Sequence, residues 1–432
     1  MARVTDQLPD VLRDLSARDL IAQSTDLAAL GADMTAGPIT AYVGFDPTAP
    51  SLHIGNLVQL LTMRRIQAGG HRPLGLVGGA TGLIGDPRMS GERVLNDADT
   101  VAGWVDRIRS QVERFLDFDG EYAARIVNNL DWTAPLSAID FLRDVGKHFR
   151  MGRMLAKETV SARLHSDEGL SFTEFSYQIL QGMDYLELYR RYGCTLQTGG
   201  SDQWGNLTSG TELIRKVTGS TVHALATPLI TKADGTKFGK SEGGAIWLDP
   251  QMLSPYAFYQ FWINADDRDV VRLLKVFTFR SLDEIADLAE QTASRPQARA
   301  AQRALAADVT TLVHGAAATE GAIAASGALF GRGDLAAVDE PTLAAALVEA
   351  GLTDLPVGAA DGPTVVQLLR ETGLAASLSE ARRIVAEGGA VVNNQRIGEP
   401  DHRPAASDLL FGQYLVVRRG RKAIAGVRAV AG

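Results

Sequence analysis

Residues 39–56 read Ile39-Thr-Ala-Tyr42-Val-Gly44-Phe-Asp46-Pro-Thr48-Ala-Pro-Ser-Leu-His53-Ile-Gly55-Asn56. The run Ile39–Phe45 is short, apolar and β-prone, and it stops at the Asp46-Pro47 pair. Apolar residues at helical spacing then predict a helix over Leu52–Gln67. A strand, a tight turn and a helix in this order indicate the start of an α/β domain with a mainly parallel sheet.

The rest of the chain continues this alternation as far as residue 231. Residues 1–39 have the pattern of a helical lead-in that ends at Gly37-Pro38. Short apolar runs predict further strands, and longer periodic runs predict helices between them. The predicted strands are Leu74–Val77, Arg125–Val127, Thr195–Thr198 and Pro228–Thr231, and the main predicted helices are Ser137–Thr159 and Thr173–Tyr189.

Composition changes divide the remaining sequence into three parts. From Ser254 to about Leu329 the pattern is helical and rich in alanine, so we expect an α-helical domain over 232–330. Residues 331–362 hold several Gly, Pro and Asp and suggest a loosely packed connection with one short helix. Residues 363–432 combine two helical runs, Val365–Thr372 and Leu378–Glu387, with two strand-like runs, Ala390–Asn393 and Gln413–Arg418, which predict a small α+β domain.

Bulk composition is that of a soluble globular protein, with 45% apolar and 22% charged residues. No window of about 18 residues is apolar enough for a membrane span, so we expect no membrane partner. The polar N-terminal segment lacks the apolar core of a secretory signal, and Cys194 is the single cysteine. These features predict a cytoplasmic protein.

The net charge of −8 is unevenly distributed. From Gly362 to Gly432 there are ten Lys and Arg and six Asp and Glu, a net of +4, which leaves −8 − 4 = −12 for the preceding residues. A basic end on an acidic body is the asymmetry expected when one domain docks on phosphates.

Two polar motifs carry the chemistry. His53, Gly55 and Asn56 lie at the predicted N-terminus of a helix, where backbone N–H groups attract anions and glycine permits close approach of a ligand. Lys237-Phe-Gly-Lys240-Ser241 lies in the polar loop Thr231–Gly244, and two lysines three residues apart suit a mobile loop that closes on a polyphosphate. Each motif alone is also compatible with chance or with an ordinary surface loop.

Together, about 180 residues apart on an α/β domain, these motifs resemble the two signatures of class I aminoacyl-tRNA synthetases. The resemblance narrows to the tyrosyl-tRNA synthetase family and runs from about residue 8 to the C-terminus. It implies a Rossmann-like parallel-sheet catalytic domain over 1–231, a helical domain on the anticodon side, and a tail similar to an RNA-binding module of a ribosomal protein. The segments that carry it are 42–56, Gly78–Pro87, Phe172–Asp184, Gln197–Asn206 and Ser379–Asn393.

The resemblance also implies residue roles. Tyr42 and Asp184 would bind the phenol hydroxyl of L-tyrosine, Tyr177, Gln181 and Asp86 its amino group, and Gln203 its carboxylate. Spacing supports part of this set, because Tyr177, Gln181 and Asp184 share one face of a helix. The implied ATP contacts are Gly44, Asp46 and Gly200 along the adenosine, Gly55 beside the adenine, Asp202 on the ribose, Thr48, His53 and Asn56 near the γ-phosphate, and Lys237, Lys240 and Arg93 on mobile loops.

The implied partners are tyrosine, ATP and tRNA(Tyr). Mg²⁺ would accompany ATP, and no Cys/His cluster predicts a protein-bound metal. Arg382 and Arg383 would begin the helix of the tail that faces RNA phosphates. Relatives are homodimers, and the interface would be the helical insertion around Asp140–Lys157.

Two departures from the family pattern bear on the phosphate contacts. Asn56 stands where histidine is common, and asparagine can still donate a hydrogen bond. The segment Asp86–Arg93 is one residue short and lacks a lysine that relatives place there, for which Arg88 is the candidate substitute. Two alternatives stay open at this point: an RNA-binding relative without aminoacylation activity, and a sister synthetase for tryptophan, which the Tyr42 and Asp184 pair and the RNA-binding tail disfavour.

Overall fold

The computed structural model describes residues 8–87, 95–167, 169–236, 238–241, 244–359 and 361–430. The chain divides into two compact units. The first comprises Met1–Asp249 and Asp266–Pro296, and the second comprises Pro250–Ala265 and Gln297–Gly432.

Helices occupy most of the described chain. In chain order they are α1 Asp10–Ala17, α2 Leu27–Ala36, α3 Ile54–Ala68, α4 Ala98–Val112, α5 Leu130–Thr133, α6 Ala138–Asp140, α7 Met151–Leu155, α8 Glu158–Leu164, α9 Phe172–Tyr192, α10 Trp204–Thr218, α11 Pro255–Ile263, α12 Val270–Phe277, α13 Leu282–Ser294, α14 Ala300–His314, α15 Ala316–Leu329, α16 Glu340–Glu349, α17 Val365–Glu371 and α18 Leu378–Ala386. Among these residues, none of the helices is long and apolar enough to cross a bilayer.

A six-stranded sheet forms the centre of the first unit. Its strands are β1 Gln23–Ser24, β2 Thr40–Phe45, β3 Arg72–Val77, β4 Arg125–Asn128, β5 Cys194–Gly200 and β6 His223–Thr227. The spatial order is β1-β6-β5-β2-β3-β4, and every pair is parallel except β1 with β6. The sequence prediction of an α/β fold with a mainly parallel sheet is therefore confirmed.

The longest helix of this unit, α9, has clear local start and stop signals. Ser171 caps its N-terminus by accepting a hydrogen bond from the Glu174 backbone N–H, and Gly193 ends it in the left-handed region with φ of 61°. Deeper in the fold, Glu174 forms a fully buried ion pair with Arg163 at 2.9 Å. These contacts fix the axis of the helix that carries Tyr177, Gln181 and Asp184.

Three local predictions for this unit need correction. The last strand is His223–Thr227 rather than Pro228–Thr231, because proline has no N–H to donate to the ladder. The lead-in 1–39 contains the short edge strand β1 between two helices. The predicted helix Ser137–Thr159 is broken into α6, a π-turn at Phe141–Val145, a 3₁₀ turn at Gly146–His148 and α7.

Helices α12 and α13 pack with the sheet unit, although the sequence assigned them to the helical domain. The Arg65 guanidinium of α3 donates to the Thr278 carbonyl at 2.6 Å, and the Arg18 guanidinium donates to the Arg280 carbonyl at 2.8 Å. These bonds satisfy carbonyls at the C-terminal end of α12, where helix hydrogen bonding leaves them unpaired. The division into compact units thus differs from a boundary at residue 231.

The second unit joins a helical bundle to a small sheet. Helices α11, α14 and α15 pack together, and α16 contacts both α11 and α15. The sheet contains β9 Leu352–Leu355, β10 Ala390–Val392, β11 Gln395–Arg396, β12 Tyr414–Arg419 and β13 Ala423–Ala429, in the order β11-β10-β12-β13-β9. The helix-and-strand character predicted for 363–432 is therefore present.

Residues 331–362 differ from the loosely packed connection that we expected. The one short helix that we expected is present as α16, but β9 pairs in parallel with β13 as a member of the C-terminal sheet. Leu347 of α16 lies so close to Gly426 that a Cβ at that glycine would be 2.7 Å from the leucine Cβ. Many Gly and Asp residues interrupt the apolar residues of this segment, so its sequence has no clear helix or strand periodicity. For this reason the pattern suggested a linker.

Candidate active site

The predicted site residues of the sheet unit collect at the carboxyl ends of its parallel strands. Asp46 follows β2, Gly78 follows β3, Asn129 follows β4, and Asp202 follows β5. The chain order reverses between β2 and β5, which are neighbours in the sheet. Such a switch point opens a crevice, and ligands of open α/β sheets bind in that crevice.

The Asp184 carboxylate is almost completely buried, at 1% exposure. Its Oδ2 accepts a hydrogen bond from Asn129 Nδ2 at 3.0 Å, and its Oδ1 accepts one from Trp132 Nε1 at 2.8 Å. Burial raises the pKa of Asp184 to about 7, and the two donors oppose that rise without cancelling it. This carboxylate therefore changes charge near neutral pH.

The Tyr42 side chain lies inside β2 at 1% exposure. Its hydroxyl is buried and has no hydrogen-bond partner among the described residues. Burial and the Asp184 charge both raise the pKa of Tyr42 well above its usual value, so the phenol is neutral. A neutral buried hydroxyl beside a carboxylate, with its own hydrogen-bonding capacity unused, is suited to bind a polar group of a ligand.

A chain of hydrogen bonds, buried except for its partly buried last bond, connects Asp184 to Asp46. Asn129 Nδ2 also donates to Thr81 Oγ1 at 3.0 Å, and Thr81 Oγ1 donates to Asp46 Oδ1 at 2.6 Å. On the far side, the Tyr177 hydroxyl donates to Asp46 Oδ2 at 2.6 Å. Both carboxylates of the crevice are thus held in fixed orientations by neutral donors from the segments that follow β3 and β4 and from α9.

Gly78 makes this network possible. A Cβ built on Gly78 would lie 2.2 Å from Asp46 Oδ1 and 2.3 Å from Thr81 Oγ1. Only glycine allows the strand end to approach both side chains so closely.

Asp86 forms a second polar cluster with residues of the β5–α10 connection. Gln203 Nε2 donates to Asp86 Oδ2 at 3.2 Å, and Asn206 Nδ2 lies 3.4 Å from Oδ1. The Lys157 ammonium donates to Asn206 Oδ1 at 2.8 Å and lies 3.6 Å from Asp86 Oδ1. The structure therefore brings Asp86 and Gln203 together, whereas Tyr177 hydrogen-bonds to Asp46 and not to Asp86.

The remaining predicted contacts of the crevice have fewer partners. Gln181 is half-buried, and its Oε1 is buried without a partner among the residues described. Gly44 and Asp202 are exposed. A Cβ on Gly200 would lie 2.5 Å from Asp202 Oδ1, so the glycine leaves room for that carboxylate to fold back over the strand end.

His53, Gly55 and Asn56 form the N-terminus of α3. His53 Nδ1 accepts a hydrogen bond from the Gly55 N–H at 3.0 Å, and Asn56 Oδ1 accepts one from the His53 N–H at 3.1 Å. A Cβ on Gly55 would lie 2.7 Å from the His53 ring. Asn56 therefore caps the helix, and Thr48 is exposed in the preceding turn, where its N–H donates to the Asp46 carbonyl at 2.9 Å.

The second motif is described in part. Lys240 lies in a two-residue strand, β7 Lys240–Ser241, which pairs with β8 Gly244–Ala245. Lys237, Arg93 and Arg88 lie outside the described residues, as does most of the shortened segment after Asp86. In the second unit, Arg382 and Arg383 are both exposed, but they lie in the middle of α18, which begins at Leu378, and not at its start as we expected.

Several residues of the site carried no signal that we recognised in the sequence. Asn129 and Trp132 donate to Asp184, Thr81 links Asn129 to Asp46, and Lys157 reaches Asp86 from the insertion. Asn129 could have been found, because a polar residue at the carboxyl end of a predicted strand is a candidate in this fold. The described residues contain no group of three or more His, Cys, Asp or Glu that could hold a metal ion.

This geometry defines a class of protein, and comparison with known families agrees with it. Residues 34–331 match the family described as "tRNA synthetases class I (W and Y)". Residues 346–425 match the "Tyrosine--tRNA ligase SYY-like C-terminal domain", a match that begins near α16 and includes β9. The chain belongs to the class I aminoacyl-tRNA synthetases.

Similarity to individual proteins identifies the family within this class. A tyrosine–tRNA ligase of Streptomyces avermitilis is 63% identical over 427 residues, covering 98% of this chain and 100% of the relative. One of Mycobacterium tuberculosis is 59% identical, covering 97% and 99%. A C-terminally truncated mitochondrial tyrosyl-tRNA synthetase of Coccidioides posadasii superposes with a TM-score of 0.64 at 32% identity, covering 72% of this chain and 90% of that one. Within its class, this chain is a member of the tyrosine–tRNA ligases.

The raised pKa of Asp184 predicts a pH-dependent stability. The native pKa is about 7 and the ordinary value is 3.8, so the stability contributed by this proton is complete below about pH 4 and is lost as pH rises through about 7. Asp184→Asn removes the titration. We expect the free energy of unfolding of the variant minus that of the wild type to increase over this range, by about 1.4 kcal/mol per pH unit. Thermal unfolding followed by circular dichroism measures it, and a pH-independent difference contradicts the assignment.

Proposed function

We propose that this protein charges tRNA(Tyr) with tyrosine in two steps. The tyrosine carboxylate attacks the α-phosphorus of ATP, the bond from that phosphorus to the bridging oxygen breaks, and pyrophosphate leaves. The terminal ribose hydroxyl of the tRNA then attacks the tyrosyl-adenylate and releases AMP. The observation that carries the choice of amino acid is the buried, unpartnered Tyr42 hydroxyl beside the Asp184 carboxylate.

Tyr42 and Asp184 would select tyrosine through its phenol. A site built to hydrogen-bond a hydroxyl rejects the analogue that lacks it, because its own buried polar groups are then left unpaired. Trp132 and Asn129 support this role, since they hold both oxygens of Asp184 in place. Phenylalanine would leave the Tyr42 hydroxyl and one face of the carboxylate without a partner.

The amino and carboxylate groups of tyrosine would bind nearer to the crevice mouth. Tyr177, Gln181 and Asp86 are proposed to hold the ammonium, and Gln203 the carboxylate. The buried Oε1 of Gln181 supports this set, because an acceptor without a protein partner is available for an ammonium. Asp86 and Gln203 hydrogen-bond to each other, so the two groups they would bind are adjacent, as they are in an amino acid.

ATP would lie along the strand ends and the N-terminus of α3. Gly44, Asp46, Gly55, Gly200 and Asp202 are the proposed contacts to adenosine. Thr48, His53 and Asn56 would approach the γ-phosphate, with Lys237, Lys240 and Arg93 closing from loops. Catalysis would rest on positioning and on stabilising charge at the leaving pyrophosphate, while Mg²⁺ would enter with ATP and neutralise part of the phosphate charge.

The decisive assay for this function is tyrosine-dependent exchange of labelled pyrophosphate into ATP. We expect exchange with tyrosine and only background exchange with phenylalanine or tryptophan. If the folded protein shows no exchange with tyrosine, the proposal is refuted, and an RNA-binding relative without aminoacylation activity is favoured. Preferential exchange with tryptophan would instead assign the chain to the sister enzymes.

The C-terminal sheet domain is proposed to bind the tRNA. Arg382 and Arg383 are exposed on α18, and the last 71 residues carry a net charge of +4 on a chain of net −8. We also infer a cytoplasmic location, in keeping with the single, fully buried cysteine Cys194 and with the place where charged tRNA is used.

Replacing both Arg382 and Arg383 by alanine tests the role of the tail. Each arginine lost from a phosphate contact weakens tRNA binding in a salt-dependent way. We expect the KM for tRNA to rise about tenfold or more and its salt dependence to become shallower, while pyrophosphate exchange stays at the wild-type rate. An unchanged KM for tRNA contradicts the assignment.

A homodimer is the proposed assembly. Exposed apolar side chains gather in and beside the insertion between β4 and α9: Ile139 at 69%, Leu142 at 53%, Met151 at 58%, Leu155 at 38%, Leu164 at 46% and Phe172 at 70%. Apolar side chains exposed this densely on one segment mark an interaction surface. The two-fold pairing of one such surface with its copy would bury them.

Phe172→Asp tests the dimer. Phe172 is the first residue of α9, where an acidic side chain favours the helix, so the substitution should leave the monomer folded. We expect sedimentation velocity to show loss of the dimer. The control is Ile323→Asp, which replaces another exposed apolar side chain, 44% exposed on α15 of the second unit, and should sediment as the wild type does. Dimers of Phe172→Asp as stable as wild type would refute the surface.

A further inference from the structure

The two phosphate-binding motifs, although far apart in sequence, are joined by backbone hydrogen bonds. Residues 51–54, which lead into α3, lie antiparallel to residues 246–249, which follow the loop of Lys240. The Ile54 N–H donates to the Ile246 carbonyl at 3.0 Å, and the Leu248 N–H donates to the Leu52 carbonyl at 2.9 Å. The His53 and Trp247 rings lie 6.2 Å apart between centroids, with their planes tilted by 58°. We call residues 51–54 and 246–249 the two-segment platform.

Ile246 connects the platform to Gly239, the residue that precedes Lys240, through backbone hydrogen bonds. While its carbonyl accepts from Ile54, its own N–H donates to the Gly239 carbonyl at 3.2 Å. Gly239 has φ of 90°, and a Cβ there would lie 2.8 Å from Ile54 Cγ1. Glycine is therefore required for the loop to approach α3 this closely, and a shift of residues 51–54 displaces the backbone next to Lys240.

Ser51 and Gln111 hold the platform from beneath. Gln111 Oε1 accepts from the Leu52 N–H at 2.9 Å, and Gln111 Nε2 lies 3.3 Å from Ser51 Oγ. Ser51 Oγ donates to the Leu52 carbonyl at 2.7 Å and accepts from the Asp249 N–H at 3.1 Å. Ser51 is 4% exposed and Gln111 7%, so water cannot replace these bonds.

The geometry points to Gln111 and Ser51 as positioning residues for adenylate formation. Neither residue is among the proposed substrate contacts. They fix both segments of the platform at once, and they thereby set where His53 and the backbone beside Lys240 stand relative to each other. The inference rests on the proposed function, in which these two elements contact the phosphates of ATP.

The inference predicts which kinetic constants change. Contacts realised only in the transition state lower kcat when they are misplaced, and a shift of about 1 Å in a positioned group can cost on the order of a hundredfold. Tyr42, Tyr177 and Asp184 lie on β2 and α9, and within the described part of the chain none of their side chains hydrogen-bonds to the platform. Tyrosine affinity should therefore stay constant while the rate of adenylate formation falls.

Gln111→Leu and Gln111→Glu form the central pair of variants. Leucine removes the acceptor of the Leu52 N–H, whereas glutamate keeps an oxygen acceptor in either protonation state. We expect Gln111→Leu to lower the single-turnover rate of tyrosyl-adenylate formation by about tenfold to a hundredfold, with the dissociation constant of tyrosine within about twofold of wild type. Gln111→Glu should recover most of that rate.

Ser51→Ala provides a smaller change should Gln111→Leu fail to fold, since it removes the acceptor of the Asp249 N–H, the donor to Leu52 and the 3.3 Å contact with Gln111, and it keeps the acceptor of the Leu52 N–H. For Ser51→Ala we again expect a lower rate of adenylate formation with an unchanged tyrosine dissociation constant, but with a smaller loss of rate. Gln302→Leu is the matched control, because Gln302 is a helical glutamine of the second unit with 1% exposure. It should lower the melting temperature without lowering the rate of adenylate formation.

An unchanged rate for both Gln111→Leu and Ser51→Ala overturns the inference. So does an equal loss of rate in Gln302→Leu, or a rise in the tyrosine dissociation constant that matches the loss of rate, because either result describes general destabilisation. All rates are referred to the wild type. Failure of the proposed function would appear as absent exchange in the wild type itself, and the two failures are therefore distinguishable.

Discussion

The buried hydrogen-bond chain from Asp184 through Asn129 and Thr81 to Asp46 is the interaction on which the site depends. Two carboxylates cannot be placed in a largely apolar crevice unless their oxygens are satisfied. Here neutral donors provide those bonds: an indole, an amide, a threonine hydroxyl and the Tyr177 phenol. The donors come from different strand ends and from α9. The carboxylates are therefore oriented correctly only when the strands of the sheet pair in the correct register.

Because the donors to Asp184 are neutral, they affect its pKa differently from the way a cation would. An arginine beside Asp184 would lower its pKa and cancel its charge, and the carboxylate would have little left to offer a ligand. The indole and amide hold the group but leave its pKa raised by burial, near 7, and leave the hydroxyl of Tyr42 unpaired. The site therefore holds unused hydrogen-bonding capacity in its interior, and the proposed selection of tyrosine over phenylalanine rests on this capacity.

The phosphate side of the crevice is organised differently. There, the proposed contacts lie at a helix N-terminus and on a loop, and backbone hydrogen bonds of the two-segment platform connect them. Ser51 and Gln111 are buried polar residues whose partners are almost all backbone groups. The platform therefore sets the backbone of Gly239, the residue before Lys240, relative to the N-terminus of α3.

Much of the fold could be predicted from local pattern, because apolar periodicity and Gly or Pro punctuation act over a few residues. The strand over Ile39–Phe45 and the helix over Thr173–Tyr189 were found in this way, and the helix places Tyr177, Gln181 and Asp184 on one face. The pattern failed at Pro228, where a missing N–H ends the sheet, and at 331–362, where a strand short of apolar residues gains its place only by pairing with β13.

By itself the sequence determined the class of fold, the family, and which side chains are candidates for chemistry, since motif residues and their spacing are local facts. Only the tertiary structure decided the partners of those side chains. It paired Tyr177 with Asp46, gave Asp184 the unforeseen donors Asn129 and Trp132, and brought residues 51–54 against 246–249. Hydrogen bonds between residues 50 to 200 positions apart depend on how the strands are ordered in the sheet, and no local pattern encodes that order.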